Sequence, residues 1–337
     1  MVGSCFEVHA PARLDCWGGY SDVPQIHELL GTAIVNIAVD LFEDPLRAKP
    51  VAVGARLAGD ATSSNAISAT QGTYGSNVGY IQGSGHAIVN VCGLPMSTGL
   101  GLSGSLAVAR SAVECLARGR QIPRRRRWII KSAMSYERDV LGVVGGYQDY
   151  VSAANGGCHV ITQGRRGATH ILRVRTPGDL RHFLDSWVCI VHSRRPATSS
   201  DILKDLLTRL GDKIVVKHLE RIRDINQAAA RLLQTPRFDF KALAGLVNAS
   251  SEARRQVSPM ASNSVLIQLE ERIRPFVWCT HECGAGGASL AIFSKPSAAR
   301  AVERAIEQAQ VTDPLLCWYP RTSDAGVRSV NVSAVCS

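Results

Sequence analysis

The stretch best suited to chemistry is Ser97–Leu106, which reads STGLGLSGSL and combines three glycines with four hydroxyl side chains. It runs into LAVARSAVECLA, where apolar residues recur at the spacing of one helix face. Glycines allow a backbone to approach a ligand closely, and the first N–H groups of a helix lie unpaired at the positive end of its dipole. The stretch therefore predicts a phosphate-binding loop, although a plain loop with a serine helix cap would fit the same residues.

The glycines of this loop, Gly99, Gly101 and Gly104, also match the GxGxxG fingerprint of dinucleotide-binding folds. That fingerprint directly follows a strand and is trailed, roughly 20 residues later, by an acidic residue that binds a ribose. Here Pro95 interrupts any strand before the loop, and the region beyond the helix is the basic run Arg124–Arg127. A nicotinamide-dependent oxidoreductase is therefore a weaker alternative, which a test of nicotinamide-nucleotide binding would remove.

Two carboxylates further along the chain are candidates for acid–base or metal chemistry. Glu137 lies in WIIKSAMSYERDVL, which has helical spacing, and Asp149 lies in the glycine-flanked segment GVVGGYQDYVSAANGG. On neighbouring elements, one carboxylate can hold a metal ion while the other takes a proton. Taken singly, each carboxylate is more often a surface group, so the hypothesis concerns the two together.

Charged residues also surround a tight turn near the N-terminus. Arg13, Asp15 and Asp22 flank the glycine pair Gly18-Gly19 within APARLDCWGGYSDVP. Charged groups beside a tight turn are typical of a ligand pocket, and a surface hairpin would have the same composition. The segment is therefore a second candidate for the site.

The elements that must position these residues fall into blocks of strands and helices. The β-branched run at 31–41 predicts a strand, 158–174 predicts a hairpin, and 187–192 predicts a buried strand. Amphipathic helices are predicted over 214–233 and 240–255. Blocks of this kind favour an α+β fold over a doubly wound sheet. The predicted domain boundary lies near Pro177–Arg181, which divides the chain into residues 1–178 and 179–337.

The composition is that of a soluble globular protein. The 337 residues allow two domains with an ample core, with 45% hydrophobic and 20% charged residues. No run approaches the ~18–20 apolar residues of a membrane helix, so no membrane partner is expected. The first fifteen residues lack the basic start and apolar run of a signal peptide, so a cytoplasmic location is expected.

Cysteines and basic residues suggest two further kinds of site, both weakly. Among ten cysteines, Cys279 and Cys283 are close, in CTHEC, but zinc sites need four ligands and no second pair follows. Reduced thiols are therefore expected. The net charge is +10, and the run Arg124–Arg127 has no interleaved aromatic residues of the kind that single-stranded nucleic acid needs. A solvated loop and helix start is expected there, and nucleic acid is not an expected partner.

Four stretches, in order along the chain, resemble motifs of the GHMP kinase superfamily, which includes galactokinase, homoserine kinase, mevalonate kinase and phosphomevalonate kinase. They read APARLDCWGGYSD, PMSTGLGLSGSLA, GGYQDYVSAANGG and CGAGGASLAIF. The third resembles the GGxQDQ segment of the branch that contains D-glycero-D-manno-heptose 7-phosphate kinase and fucokinase. The resemblance covers nearly the whole chain, and four motifs in this order are specific together.

The resemblance implies an α+β fold with a ribosomal-protein-S5-like N-terminal lobe, a ferredoxin-like C-terminal lobe, and ATP and substrate between them. It implies an ATP- and Mg²⁺-dependent kinase acting on the anomeric hydroxyl of a sugar, with a heptose 7-phosphate as the leading acceptor and a fucokinase-like activity as the alternative. Asp149 is implied as the group that takes the acceptor's proton, with Arg13 beside it. Ser103 and Glu137 are implied as magnesium ligands.

The other implied site residues bind the two substrates. The residues implied to wrap the ATP phosphates are Ser97, Thr98, Gly99, Leu100, Gly101, Ser103, Gly104 and Ser105. The residues implied on the acceptor side are Gly19, Asp22, Arg195 and Gly286. An acceptor that already carries a phosphate would need basic groups, and the candidates are Arg194, Arg195 and Arg254.

The chain departs from the family's motifs at three places. Leu102 stands where the family has a second serine, Ala288-Ser289 where it has glycines, and His281 where the heptose kinases have a lysine. These departures leave room for a specialised biosynthetic kinase or for a nucleotide-binding pseudokinase that turns over no sugar. A homodimer is compatible with the resemblance.

Overall fold

The strand Thr32–Phe42 lies inside the larger of two sheets and is the longest strand of the described chain. Six of its eleven residues are valine, isoleucine or threonine, or the aromatic Phe42, and nearly all of it is buried. Such residues pack well on a pleated surface, which explains a strand buried on both faces. The computed structural model describes residues 7–17, 19–46, 49–60, 79–80, 86–95, 97–142, 145–194, 199–235, 239–259, 263–285 and 288–330.

Within these residues the chain forms thirteen strands and ten α-helices. The strands are β1 Glu7–His9, β2 Ala12–Leu14, β3 Thr32–Phe42, β4 Val53–Asp60, β5 Gly79–Tyr80, β6 His86–Cys92, β7 Cys158–Gln163, β8 Thr169–Val174, β9 Val188–His192, β10 Val277–Glu282, β11 Ser289–Ser294, β12 Leu316–Thr322 and β13 Arg328–Val330. The helices are α1 Pro24–Leu30, α2 Leu102–Ala117, α3 Ile122–Ser135, α4 Gln148–Asn155, α5 Gly178–Trp187, α6 Ser199–Thr208, α7 Lys213–Leu233, α8 Phe240–Val257, α9 Ser264–Ile273 and α10 Ala299–Thr312. A π-helical turn, Tyr136–Val140, continues α3.

All strand pairs are antiparallel, and two sheets result. The smaller sheet has the order β13-β1-β4-β6-β5, and the larger has the order β10-β11-β9-β12-β3-β7-β8, with β2 also pairing β3. Strand β12 joins the two parts of the larger sheet. Its first residues pair with β9 and its last with β3, with Trp318 opposite Ile190 and Tyr319 opposite Phe42. The larger sheet therefore combines strands from both halves of the chain.

Helices cover the sheets through distinct apolar clusters. Helix α2 contributes Val108 and Ala112 to a cluster with Ala55 and Ile88 of the smaller sheet. Helices α7 and α8 pack on the larger sheet, where Ala229 lies in the same cluster as residues of β3. Helix α2 is thus held rigidly by its apolar face, and this fixes the loop at its N-terminus.

The α+β class is confirmed, and most predicted elements are present within a few residues of their predicted bounds. The sequence correctly predicts strand β3, the hairpin β7–β8 and helices α7 and α8. The sequence patterns did not predict helices α1 and α5 or strands β2, β5, β6 and β10. The predicted boundary at Pro177–Arg181 falls at the start of α5. The division into 1–178 and 179–337 stays a prediction.

Three expectations about surfaces and metals can be compared with the described residues. None of the helices there is long and apolar enough to cross a membrane. The run Arg124–Arg127 lies in the first turns of α3 and is mostly exposed, in agreement with the predicted solvated helix start. Cys279 and Cys283 are buried free thiols on and after β10, and no group of three or more His, Cys, Asp or Glu residues in the described chain could hold a metal ion.

Candidate active site

The glycine-rich loop ends at the N-terminus of α2. Gly101 precedes the helix with a φ of 71° and has no side chain to cap it. The first intrahelical bond here runs from the Ser105 N–H to the Gly101 carbonyl, 3.0 Å away. The N–H groups of Leu102, Ser103 and Gly104 therefore have no helical partner and lie at the positive end of a sixteen-residue helix. Such a helix end attracts an anion.

Glycine is required in this loop because other backbone and side-chain groups touch it. Gly99 has a φ of 73°, and a Cβ there would overlap the carbonyl of Cys283. Gly284, with a φ of 62°, meets the backbone of Gly99 in the same way. A Cβ on Gly101 would lie 2.9 Å from Cγ of Arg13 and 3.1 Å from Cγ of Asp149. The loop thus contacts both a second glycine turn and the two charged residues.

Arg13 and Asp149 form a close ion pair at the base of the loop. Arg13 Nε donates to Asp149 Oδ1 over 2.6 Å, and Arg13 Nη1 donates to the Gly99 carbonyl over 2.8 Å. Arg13 Nη1 also lies 2.9 Å from Asp15 Oδ1. The Arg13 side chain is 7% exposed and that of Asp149 is 29% exposed. Asp149 therefore keeps access to solvent, while Arg13 is held from three sides.

The buried charges of this group stabilise one another. Burial acts to lower the pKa of Arg13, but the charges of Asp149 and Asp15 raise it above its usual range. Burial acts to raise the pKa of Asp15, but Arg13, and after it His281, hold it well below its usual range. Both groups are therefore charged at neutral pH. A buried cation between two carboxylates is a stable arrangement because each charge has a partner.

Ser103 and Glu137 meet near the end of the same loop. The Ser103 hydroxyl donates to Glu137 Oε1, and the Tyr150 hydroxyl also hydrogen-bonds to Glu137. Glu137 lies in the π-helical turn after α3 and is 3% exposed. Burial raises its pKa to about 7; the Tyr150 hydrogen bond opposes this rise and the Asp149 charge adds to it. Burial and the nearby Asp149 charge thus disfavour the ionised form of Glu137.

Asp22 is a second buried carboxylate with a raised pKa. Its Oδ2 accepts a hydrogen bond from the Gln148 backbone N–H over 2.9 Å, and its carboxylate fills the space where a Cβ on Gly146 would lie. Burial raises the pKa of Asp22 to about 6, opposed by the Gln148 N–H. Asn36 fixes this end of α4, because its Nδ2 donates to the Gln148 carbonyl over 2.9 Å.

All these groups line one cavity of about 290 Å³. The predicted site residues that line it are Arg13, Gly19, Asp22, Ser97, Thr98, Gly99, Gly101, Ser103, Gly104, Glu137 and Asp149. The second half of the chain contributes Leu203, Arg254, Gly284 and Ala285. Residues distant in sequence are therefore assembled into one pocket between elements of both halves.

Two predicted loop residues do not reach the cavity, contrary to prediction. The Ser105 hydroxyl donates to the Pro11 carbonyl over 2.7 Å and its N–H is used inside the helix. Leu100 is fully buried, and its carbonyl accepts from the Arg13 N–H. Both residues support the loop from behind, because their polar groups already have internal partners. Arg195 and Gly286 lie outside the described residues.

Other residues join the site without having been predicted as members. Asp15 was noted only as part of the charged turn, yet it pairs with Arg13. Gln148 and Tyr150 flank Asp149 in the first turn of α4 and reach Asp22 and Glu137. Their position beside Asp149 in GGYQDY was the one signal the sequence offered. Arg254, which was predicted as one candidate for binding an acceptor's phosphate, also lines the cavity and donates to the Gly284 carbonyl and to His281.

The arrangement fits a phosphate group together with a magnesium ion. Hard cations prefer oxygen ligands, and magnesium usually takes one or two carboxylates in addition to substrate phosphates. Ser103 and Glu137 supply a hydroxyl and a carboxylate that already touch each other, beside the uncapped N–H groups of α2. The donor set therefore matches a nucleotide phosphate with its metal.

Part of the chain matches a known protein family. The family described as GHMP kinases N terminal domain matches residues 61–157, which include the glycine loop, Glu137 and Asp149. Residues 61–157 are thus similar to a GHMP kinase N-terminal domain. A curated relative, D-glycero-alpha-D-manno-heptose 7-phosphate kinase of Campylobacter jejuni, is 26% identical over 170 residues, which are 50% of this chain and 49% of that protein. The chain therefore matches about half the length of this curated relative.

Solved structures show that the GHMP kinase fold extends over the whole chain. A D-glycero-D-manno-heptose 1-phosphate kinase from Bacteroides thetaiotaomicron superimposes with a TM-score of 0.67 at 16% identity, covering 98% of this chain and 100% of that chain. Galactokinase of Lactococcus lactis, complexed with galactose, gives a TM-score of 0.62 at 14% identity, covering 97% and 95%. At these identities the likeness establishes the α+β, two-lobed fold of the GHMP kinases and leaves the activity to be inferred from the site.

Proposed function

We propose that the protein is an ATP- and magnesium-dependent sugar kinase that phosphorylates the anomeric hydroxyl of its acceptor. The observation that carries the proposal is the placement of Asp149. Its carboxylate pairs with Arg13 over 2.6 Å and packs against Gly101 and Gly104 at the start of α2. A carboxylate and a guanidinium therefore lie beside the helix end that would hold a phosphate. Phosphoryl transfer depends mainly on such positioning and on charge neutralisation.

Each group has a role that follows from its surroundings. Asp149, partly exposed and charge-paired, accepts or orients the proton of the attacking hydroxyl. Arg13 neutralises charge that develops on the transferring phosphoryl group, because its position beside the loop is fixed by Gly99 and Asp15. Ser103 and Glu137 would hold the magnesium ion, which would supply charge neutralisation at the phosphate oxygens.

The acceptor end of the cavity is assigned to Asp22. Its buried carboxylate, held by the Gln148 N–H, can accept a hydrogen bond from a sugar hydroxyl in the cavity that Tyr20 and Gly146 also line. We take a heptose 7-phosphate as the first acceptor to test because a relative that matches half of the chain bears that name. Arg254 lines the cavity and directs Nη1 to His281 and Nη2 to the Gly284 carbonyl, while its buried Nε has no hydrogen-bond partner among the described residues. Arg194, Arg195 and Arg254 therefore stay the candidates for binding the acceptor's phosphate.

The test is ATP consumption with magnesium against a panel of free and phosphorylated sugars. The panel includes D-glycero-D-manno-heptose 7-phosphate, sedoheptulose 7-phosphate, fucose, galactose and mannose. Turnover of one sugar identifies the acceptor, and Asp149→Ala is expected to lower kcat by about 10²–10⁴-fold, the usual contribution of a positioned base. The matched control is Asp139→Ala, because Asp139 is an exposed carboxylate of the neighbouring turn. Nucleotide binding without turnover on any sugar would replace this proposal with a nucleotide-binding pseudokinase.

A further inference from the structure

Arg254 and His281 lie directly behind the Arg13–Asp149 pair, on α8 and β10. Arg254 Nη1 donates to His281 Nε2 over 3.0 Å, and Arg254 Nη2 donates to the Gly284 carbonyl. His281 Nε2 lies 3.5 Å from Asp15 Oδ1. Asp15 in turn lies 2.9 Å from Arg13 Nη1. Because Nε2 accepts from Arg254, it has no proton to donate to Asp15, and the charge of Arg254 acts on the Asp15 carboxylate across this gap. Hydrogen bonds and charge interactions therefore connect the second glycine turn to the arginine that holds Asp149.

This chain of contacts closes on itself. Arg13 Nη1 donates to the carbonyl of Gly99, and the backbone of Gly99 touches the backbone of Gly284. Arg254, at the other end, binds the Gly284 carbonyl. The phosphate loop, the Arg13–Asp15 pair and the second glycine turn are thus tied into one ring. A shift in any member changes where the two glycine turns meet.

The members of the ring are buried, so their contacts cannot be replaced by water. Arg254 is 4% exposed, His281 is 0% exposed and Asp15 is 2% exposed. A buried guanidinium that loses a partner is strongly destabilised, because neither solvent nor an alternative acceptor is at hand. The Arg254 guanidinium carbon also lies 5.5 Å from the centre of the Tyr20 ring, within the range of a cation–π interaction. The ring is therefore a rigid support and not a set of exchangeable surface pairs.

The hydrogen bonds define which form of His281 is present. Because Arg254 donates to Nε2, that nitrogen carries its lone pair and the ring proton is on Nδ1. Burial, together with the Arg254 and Arg13 charges, lowers the pKa of His281 to about 4 against the opposing effect of Asp15. A neutral imidazole accepts from Arg254, whereas a lysine at this position would place a second cation against it.

We propose that Arg254 and His281 are positioning residues that hold the second glycine turn against the phosphate loop. Through that contact they hold the Gly99 carbonyl against Arg13, and so Arg13 against Asp149. The proposal rests on the kinase activity inferred above. It assigns a role in the first half's reaction centre to two residues of the second half. It also gives His281 a function of its own as a neutral acceptor for Arg254.

The kinetic test is a double-mutant cycle between Arg254 and Arg13. Arg254→Lys keeps the charge, but one ammonium cannot reproduce the planar fork that reaches both His281 and Gly284. We expect kcat to fall about 10–100-fold with KM for ATP changed less than about threefold, because small misplacements near the reacting groups cost rate. In the Arg13→Lys background the same substitution should lower kcat less than about twofold, because its route to Asp149 is already lost.

A histidine series provides the second kinetic readout. His281→Gln keeps an acceptor for Arg254 and is expected to retain kcat within about threefold, whereas His281→Leu removes the acceptor and should match Arg254→Lys. The control is Arg255→Lys, since Arg255 neighbours Arg254 on α8 but pairs with Glu270 and Glu282. It should leave kcat unchanged. Melting curves of every variant show whether a loss of rate reflects unfolding.

A readout that needs no turnover separates this proposal from the proposed activity. The Arg13 Nε–H, 2.6 Å from a carboxylate, should give a slowly exchanging ¹H–¹⁵N resonance, assigned by its loss in Arg13→Lys. We expect that resonance to move or broaden in Arg254→Lys and His281→Leu and to persist in His281→Gln and Arg255→Lys. Equal losses of kcat in both Arg13 backgrounds, or an unchanged resonance in Arg254→Lys, would overturn the positioning role. An intact resonance pattern with no sugar turnover would instead count against the kinase activity alone.

Discussion

At the scale of single residues, the surroundings give the four acidic side chains of the site different protonation behaviour. Asp15 is paired with Arg13, so its pKa is held low. Burial without a cation raises the pKa of Asp22 to about 6 and that of Glu137 to about 7. Asp149 is paired with Arg13 but partly exposed. Similar carboxylates are thereby divided into a structural anion, two groups poised near neutral pH, and one accessible to a substrate.

The raised pKa of Glu137 predicts a magnesium-dependent pH profile. Protonated Glu137 cannot bind the ion, so at low magnesium kcat/KM should fall as the pH drops below about 7. Metal and proton compete for the same oxygens, so higher magnesium should move the acid limb to lower pH. The measurement is kcat/KM at several magnesium concentrations, between about pH 5.5 and 8.5. This pH range spans the titration of a carboxylate with the pKa of Glu137.

Two variants sharpen this pH experiment. Glu137→Gln should remove the magnesium-sensitive limb and lower activity, because the amide does not titrate. Glu114→Gln is the control, since Glu114 pairs with Arg118 on the far part of α2 and should leave the profile unchanged. A limb that persists at the same pH in Glu137→Gln would assign the titration to another group, and Asp22 would then be the first candidate.

At the scale of elements, the contact between two glycine turns decides the shape of the site. Gly99 and Gly284 both have positive φ values, and each occupies the space that a Cβ on the other would need. Sequence alone indicates flexible backbone at these positions, but it does not indicate that the two turns touch. The contact forms because β10 and β11 bring the second turn against the loop before α2.

This contact predicts different costs for two glycine substitutions. Gly99→Ala should destabilise the protein by about 3 kcal/mol, which combines left-handed strain with overlap against the Cys283 backbone, and should weaken nucleotide binding. Gly119→Ala is the matched control, because Gly119 has a φ of 67° but open space around its Cβ position. It should cost about 1 kcal/mol from strain alone. Urea unfolding gives both values, and equal costs would show that the turns do not pack as described.

At the scale of the whole molecule, buried polar side chains fasten the second half of the chain to the first. Asn226 of α7 is fully buried. Its Oδ1 accepts from the Val35 N–H over 3.1 Å, and its Nδ2 donates to the Trp17 carbonyl over 3.0 Å. One amide thus joins α7 to β3 and to the turn that precedes Gly19. This connection holds the acceptor side of the cavity in register with the sheet.

Replacing Asn226 by leucine should therefore be costly. Asn226→Leu keeps the approximate volume but leaves the Val35 N–H and the Trp17 carbonyl buried without partners, which should cost about 3 kcal/mol. Asn248→Leu on the neighbouring helix serves as the comparison. Asn248 is exposed and donates to Trp278, so its loss should stay within about 0.5 kcal/mol. Chemical unfolding of both variants measures the difference, and a near-neutral Asn226→Leu would contradict the assigned bridge.

The sequence by itself determined the class of fold and supplied the candidates for the reactive groups. Hydrophobic periodicity located the long helices and β3, because local spacing controls which face of an element is buried. The glycine loop, Glu137 and Asp149 could be predicted because residue types within a short stretch indicate phosphate binding or acid–base chemistry. Hydrophobic periodicity did not predict α1, α5 and β10. These elements mix polar and apolar residues, and their local patterns cannot be distinguished from those of loops.

Only the tertiary structure decided which of these groups meet and how each is charged. Arg13 and Asp149 are 136 positions apart, and the link from Asp15 through His281 to Arg254 joins the two halves of the chain. Ser105 faces inward because the Pro11 carbonyl lies within reach of its hydroxyl. Burial sets the pKa values of Asp22 and Glu137, and burial depends on every element packed around them. Residue types fix which chemistry is available, whereas packing fixes the distances and the dielectric surroundings that make it usable.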